Sequence, residues 1–152
     1  LHLSAQAEQL AERIADSPAV SVHVRRGDYL DASHGGMYTG ICTEGYYQRA
    51  MDRIRESVPD AVFYMFSNDT DWVKKHFTGK DCVVVEGSTE DTGYQDLYLM
   101  SLCQHHIIAN SSFSWWGAWL GGNPQKKVIA PDRWLNGTEC RDIYTENMIR
   151  IG

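Results

Sequence analysis

The sequence predicts an α/β protein, a Rossmann-like parallel sheet flanked by helices, and three observations lead there. Short apolar runs alternate with amphipathic helical stretches along the whole chain. Polar clusters fall directly after those runs, where open α/β sheets gather ligands. The segment His23-Val24-Arg25-Arg26-Gly27-Asp28-Tyr29 comes straight off the alternation Ala19-Val20-Ser21-Val22, as an anion-binding strand end would.

The elements follow in order. Leu3, Ala7, Leu10 and Ile14 recur at helical spacing up to Ser17-Pro18, and a strand then runs to Val24 and opens into a Gly-rich loop from Asp31 to Gly40. Thr43 can cap a helix carrying Tyr47, Ala50, Met51 and Ile54 on one face until Val58-Pro59. Ala61 to Phe66 reads as a buried strand, Ser67-Asn68-Asp69 as the start of a helix, and Cys82 to Val85 as a third strand. A helix from Tyr94 to Cys103, a short strand Ile107-Ile108-Ala109, a helix from Phe113 to Leu120 and a strand from Lys127 to Ala130 complete the pattern. No internal repeat interrupts it.

Bulk properties narrow the function. The 152 residues make one domain with a sizeable core. A net charge of −6 without any basic run argues against nucleic acid as a partner. No apolar stretch is long enough for a membrane span, and Leu1 to Pro18 reads as an amphipathic helix rather than a signal, so a soluble domain is expected. Cys42, Cys82, Cys103 and Cys140 form no Cys-x-x-Cys pair, which favours a reduced, intracellular compartment and leaves two disulfides open.

The chemistry gathers on three strand ends. On the first strand Val20, Val22 and Val24 are expected to face the core while Ser21, His23 and Arg25 share the other, functional side. Arg25 offers a planar, permanently charged fork suited to phosphate oxygens, and Gly27 lets the backbone turn close to a ligand. The competing readings are an adhesion tripeptide at Arg26-Gly27-Asp28 and a structural Arg26–Asp28 ion pair. Ser111 and Ser112 would open a helix whose N–H groups and dipole favour a phosphate, against a plain capping role. Asp69-Thr70-Asp71 has the look of a metal motif but begins a helix, where an aspartate caps. Phe113, Trp115, Trp116 and Trp119 are expected to pack on the sheet, one tryptophan being left toward the cleft for a sugar. Asn68-Asp69-Thr70, Asn110-Ser111-Ser112 and Asn136-Gly137-Thr138 match the glycosylation triplet, a short pattern of which the last alone falls in an obvious loop.

Two segments carry a family resemblance: His23 to Tyr29, and Ile107-Ile108-Ala109-Asn110-Ser111-Ser112-Phe113-Ser114-Trp115-Trp116-Gly117-Ala118-Trp119-Leu120. The chain resembles the α-1,2-fucosyltransferases of glycosyltransferase family 11. Phe66-Ser67-Asn68-Asp69, Asp96 to Ser101 and Ala130 to Trp134 extend the likeness over nearly the whole chain. The resemblance implies a two-domain GT-B enzyme, of which residues 1–152 look like the C-terminal half that holds GDP-fucose, without the N-terminal, acceptor-side domain. It implies inverting transfer of L-fucose to the 2-hydroxyl of a galactose, with GDP-fucose as substrate, a glycan acceptor as partner, and no cofactor or metal. Arg25 would hold the diphosphate, His23 would lie against the nucleotide, Asp96 would contact guanine or ribose, and Ser111, Ser112 and Phe113 would line the phosphate end. Asn68 and Asp69 are further nucleotide contacts under the same resemblance. The base that takes the acceptor proton stays open between Asp28, His23, a residue of the absent half and no strong base at all. With no anchor in view, bacterial cytoplasmic surface-glycan synthesis is expected, at most peripheral at the inner membrane. A nucleotide-sugar or glycan-binding module without turnover, another linkage and another GDP-sugar are the rivals.

Overall fold

The computed structural model describes residues 3–26, 41–87, 93–134, 136, 143–145 and 148–152. Its elements in chain order are α1 (Ala5–Ala15), β1 (Ala19–Val24), α2 (Glu44–Ser57), β2 (Val62–Ser67), α3 (Thr70–His76), β3 (Cys82–Val84), α4 (Gly93–Ser101), β4 (His105–Ile107), α5 (Ser112–Trp119), β5 (Val128–Pro131) and β6 (Met148–Ile151). Among the described residues all five strand pairings are parallel, in the order β3-β2-β1-β4-β5-β6. That is the strand order of doubly wound Rossmann sheets, in which the direction of winding reverses between β1 and β4. The expected fold class therefore stands, with β6 added at the far edge. No helix of the described residues is long and apolar enough to cross a membrane.

Local chemistry sets the helix starts. The Ser4 hydroxyl accepts from the Ala7 N–H at 3.1 Å, Thr43 accepts from Tyr46 N–H at 3.1 Å, and Asp69 accepts from Trp72 N–H at 3.2 Å. Amphipathic faces then decide the layers. Tyr46, Tyr47, Ala50, Met51 and Ile54 of α2, with Val73 of α3, bury against Val20, Val22, Val24, Phe63, Met65 and Ile107. On the opposite face Ala7 and Ile14 of α1 and Leu99 and Met100 of α4 pack with Ala19, Tyr64 and Phe66. Ala118 of α5 covers Ile108, Val128 and Ala130 on that same side. Each fully buried large side chain of this kind contributes about 1.5–3 kcal/mol.

Three expectations need correction. Strand β1 is buried along its whole length, so Ser21 and His23 lie not on an open functional side but beneath α5, at 1% and 6% exposure. The strand expected at Ile107-Ile108-Ala109 is His105–Ile107, two residues earlier. The tryptophans do not all pack: Trp115 is half-buried and donates from Nε1 to Ile143 O at 2.7 Å, whereas Trp116 and Trp119 are 50% and 56% exposed. Among the described cysteines Cys42, Cys82 and Cys103 are free thiols, and Cys140 lies outside the described residues.

Candidate functional site at the β1–β4 crevice

Strands β1 and β4 pair only at Val20↔His105, Ser21↔His106 and Val22↔Ile107, while β1 stays paired with β2 to Val24↔Ser67. Beyond Val22 and Ile107 the two central strands part. Their backbone carbonyls would be left unsatisfied in the interior, which is costly. Two tyrosines of α2 prevent it: Tyr46 donates to Ile108 O at 2.7 Å and to Ile129 O at 3.2 Å, and Tyr47 donates to His23 O at 2.9 Å. The Arg25 N–H partners the Tyr47 hydroxyl, and the Cys42 thiol joins Tyr47 to the backbone of Asn110. Burial holds these groups protonated, lifting Cys42 to about 12 and both tyrosines well above their ordinary value. The split is thus propped open from beneath by neutral hydroxyls.

The residues that flank the split come from both strands. Half-buried Arg25 follows β1 directly. His23 faces the Ser114 hydroxyl through Nδ1 and the Phe113 ring at 5.5 Å between centroids. Burial, and secondarily the Arg25 charge, push its pKa down to about 3, so the ring is neutral. Across the split, Ser111 stands at the N-cap of α5 with extended backbone, yet its side chain makes no capping bond. The helix start is therefore closed by no serine hydroxyl of its own cap, and exposed Ser112 is its first residue. The structure thus sets His23 against Phe113 and Ser114, with Arg25 two residues further along the chain and Ser111 and Ser112 at the start of the same helix.

Other predicted residues are placed elsewhere or occupied. Asn68 accepts from the Arg26 N–H at 2.8 Å and donates from Nδ2 to Arg26 O at 2.6 Å, extending the β1–β2 ladder by one side-chain rung. Asp69, besides capping α3, lies 3.4 Å from Arg26 Nε, and the Arg26 guanidinium sits 3.9 Å over the Trp72 ring. Arg26 is thus engaged by Asp69 and Trp72, and Asp28 lies outside the described residues. Among the described residues no cluster of acidic, histidine or cysteine side chains is arranged for a metal ion. Asn110 is fully buried and donates to Trp134 O at 3.1 Å, and the Asn68 amide, on an exposed residue, is engaged at both ends by the Arg26 backbone. The triplet at Asn136 reaches beyond the described residues.

Asp96 lines a separate, shallow cavity of about 50 Å³ past the end of β3, with Ser4, Gln6, Val85, Glu86 and Gly87. Two contributors escaped the sequence reading, Ser114 and Tyr46. Ser114 shares the buried face of α5 with Gly117 and Ala118, and a lone hydroxyl on an otherwise apolar face was the available signal.

A family model described as glycosyl transferase family 11 matches residues 3–151. The chain belongs to glycosyltransferase family 11. This family 11 chain is 39% identical over 158 residues to an α-1,2-colitosyltransferase of Escherichia coli, a match covering 99% of this chain and 53% of that protein. It is 32% identical over 130 residues to galactoside α-(1,2)-fucosyltransferase 1 of Rattus norvegicus, covering 80% of this chain and 35% of that one. Among solved structures, fucosyltransferase NodZ from Bradyrhizobium superposes at a TM-score of 0.47 and 19% identity over 74% of this chain and 40% of NodZ. The chain thus spans about half the length, or less, of the curated relatives it matches.

Proposed function

We propose that this chain is the donor-binding half of an inverting, metal-independent glycosyltransferase that moves L-fucose from GDP-fucose to the 2-hydroxyl of a galactose in a surface glycan. The observation that carries the reading is that His23, two residues before Arg25, meets Phe113 and Ser114 in the first turn of α5 where β1 and β4 part. As the sugar–diphosphate bond loosens, negative charge grows on the leaving group. Arg25 and the N–H groups at Ser112 and Phe113 offset that charge from fixed positions. Phe113 and His23 wall the same end, and Asp96 serves the guanine or ribose. Asn68 and Asp69 support the rim by holding Arg26 in place beside Arg25.

A ring kept neutral down to about pH 3 accepts a proton poorly at physiological pH, so His23 acts here as a hydrogen-bonding group. Asp28, a group of a second domain, or transfer without a strong base then remains for the acceptor proton. That second, N-terminal domain would form the acceptor wall, in keeping with the 53% of the E. coli relative that this chain spans. The setting we propose is the bacterial cytoplasm, with any membrane contact peripheral. The kinship with the colitosyltransferase favours one second reading, a colitosyl rather than fucosyl donor.

Calorimetric titration with GDP, GDP-fucose, GDP-colitose, GDP-mannose and UDP tests the proposal, on the chain and on Arg25→Ala. GDP compounds should bind and UDP should not, and Arg25→Ala should weaken GDP about ten- to a hundredfold, from a lost charge-assisted contact of about 1.5–3 kcal/mol, at unchanged melting temperature. Wild-type affinity in the variant would remove Arg25 from the site. Binding of free sugar with indifference to GDP would make the chain a glycan-binding module.

A further inference from the structure

The Ser114 hydroxyl is wholly buried and has two described partners: it accepts from the Ala109 N–H at 3.2 Å and meets His23 Nδ1. A serine hydroxyl carries one proton. With Ala109 already donating to the oxygen, a protonated Nδ1 would bring a second donor and strand the hydroxyl proton, which no other described group accepts. The arrangement closes only if Ser114 donates to Nδ1. His23 then carries its proton on Nε2, and no described group holds that nitrogen. The backbone of the same residue is pinned by Tyr47, and Phe113 lies against its ring, so the imidazole has a fixed place at the end of β1.

We propose that Ser114 is a positioning residue whose hydroxyl fixes His23 as the Nε2–H tautomer, so that the ring offers a neutral hydrogen-bond donor to an oxygen of the bound nucleotide. The inference rests on the nucleotide reading of the crevice. The lowered pKa of His23 fits it, since a neutral ring has one donor and one acceptor and the neighbour of one nitrogen decides the role of the other. Ser114 lies on α5 and Ala109 just after β4, so the relay also ties the α5 start to β1 across the split.

Long-range 1H–15N NMR of the imidazole, with GDP titration and thermal melting, tests the proposal in the wild type, Ser114→Ala and Ser114→Thr. The wild type should show a single Nε2–H tautomer for His23, unchanged between pH 8 and 5. Ser114→Ala should show mixed tautomers and about tenfold weaker GDP binding, while Ser114→Thr, which keeps the hydroxyl, should keep both signatures. Ser114→Ala also strips Ala109 of its acceptor, so should it fail to fold, the wild-type and threonine spectra still decide. An Nδ1–H tautomer in the wild type, or an unaltered tautomer and GDP affinity in a folded Ser114→Ala, would overturn the proposal. If wild-type protein binds no GDP, the nucleotide reading falls with the donor role of Nε2, and the spectra separately decide whether Ser114 sets the tautomer.

Discussion

His23 and His106 lie on adjacent strands and face the same layer of helices, and each meets a serine hydroxyl through Nδ1: Ser114 for His23, Ser21 at 2.8 Å for His106. Burial pushes both pKa values down to about 3, helped by the charge of Arg25 for His23 and by those of Lys126 and His105 for His106. Their surroundings differ. His106 pairs in mid-sheet with Ser21 and is roofed by Gly121, where a Cβ would stand 2.5 Å from Nε2 and 3.2 Å from Ala118 O. Lys126 is itself spent on the end of α5, donating to Ala118 O at 2.8 Å and Gly121 O at 3.0 Å. His23 stands where β1 and β4 have parted, two residues before an arginine. A strongly shifted histidine therefore marks interior polar packing as readily as a site. Its place on the sheet separates the two cases.

Acidification should treat the two histidines alike. Both have folded pKa values of about 3, below the ordinary 6.5 of an unfolded chain, so as pH falls through 6.5 the unfolded state takes up protons first. Stability is then full above about 6.5 and declines toward 3, by up to about 1.4 kcal/mol per pH unit for each histidine. Urea unfolding between pH 7.5 and 5 measures the slope. His106→Gln and His23→Gln should each remove about one proton from it, and only His23→Gln should also weaken GDP. A stability flat across this range would mean that both rings protonate inside the fold.

Gly121→Ala sharpens the contrast from the closed side. The added methyl meets backbone at Ala118 O and the rigid ring of His106, neither of which can swing away. Overpacking of this kind costs about 1–3 kcal/mol. The melting temperature should fall by several degrees while GDP affinity of the folded protein stays at the wild-type value. An unchanged melting temperature would show that the roof over His106 yields, and weakened GDP binding would show that the two regions are coupled.

Periodicity made the outer elements of this fold legible, and pairing at a distance hid the interior. The caps at Thr43 and Asp69 and the apolar face of α2 are local signals and fell where expected. Strand β4 begins two residues before its apolar run: His105 and His106 look polar, and their burial depends on Ser21 and on the Lys127 N–H that donates to His105 at 2.9 Å. Ser21 lies 85 residues from His106, and no spacing rule joins them. Strand β6 is a four-residue edge with Arg150 inside it, too short for alternation to speak. At the crevice the motifs named Arg25, His23 and the Ser111 start, since charge and helix-start chemistry are written locally. Ser114 and Tyr46 act through partners on other strands, and only the folded chain brings those partners near.

The smallest effect is expected at Asp96, which tests how far the site extends from the crevice. The carboxylate belongs to the first turn of α4, and its cavity lies past β3, two strands away from the split. The two places are nevertheless linked, because α4 begins at Gly93, where a Cβ would touch Phe113 Cε2 at 3.7 Å, and Phe113 lies against His23. A nucleotide with its diphosphate at Arg25 would then run along the α4 start toward Asp96. A carboxylate only accepts hydrogen bonds, from guanine N–H groups or from ribose hydroxyls. Asn keeps one accepting oxygen, so Asp96→Asn should lose about 1 kcal/mol, roughly a fivefold weakening of GDP. Parallel titrations with GDP and ADP assign the partner: a reduced preference for GDP points to guanine, and an equal loss for both points to ribose. Wild-type affinity and base preference, with only a lower melting temperature, would reduce Asp96 to an acid favouring the α4 dipole and confine the site to the split between β1 and β4.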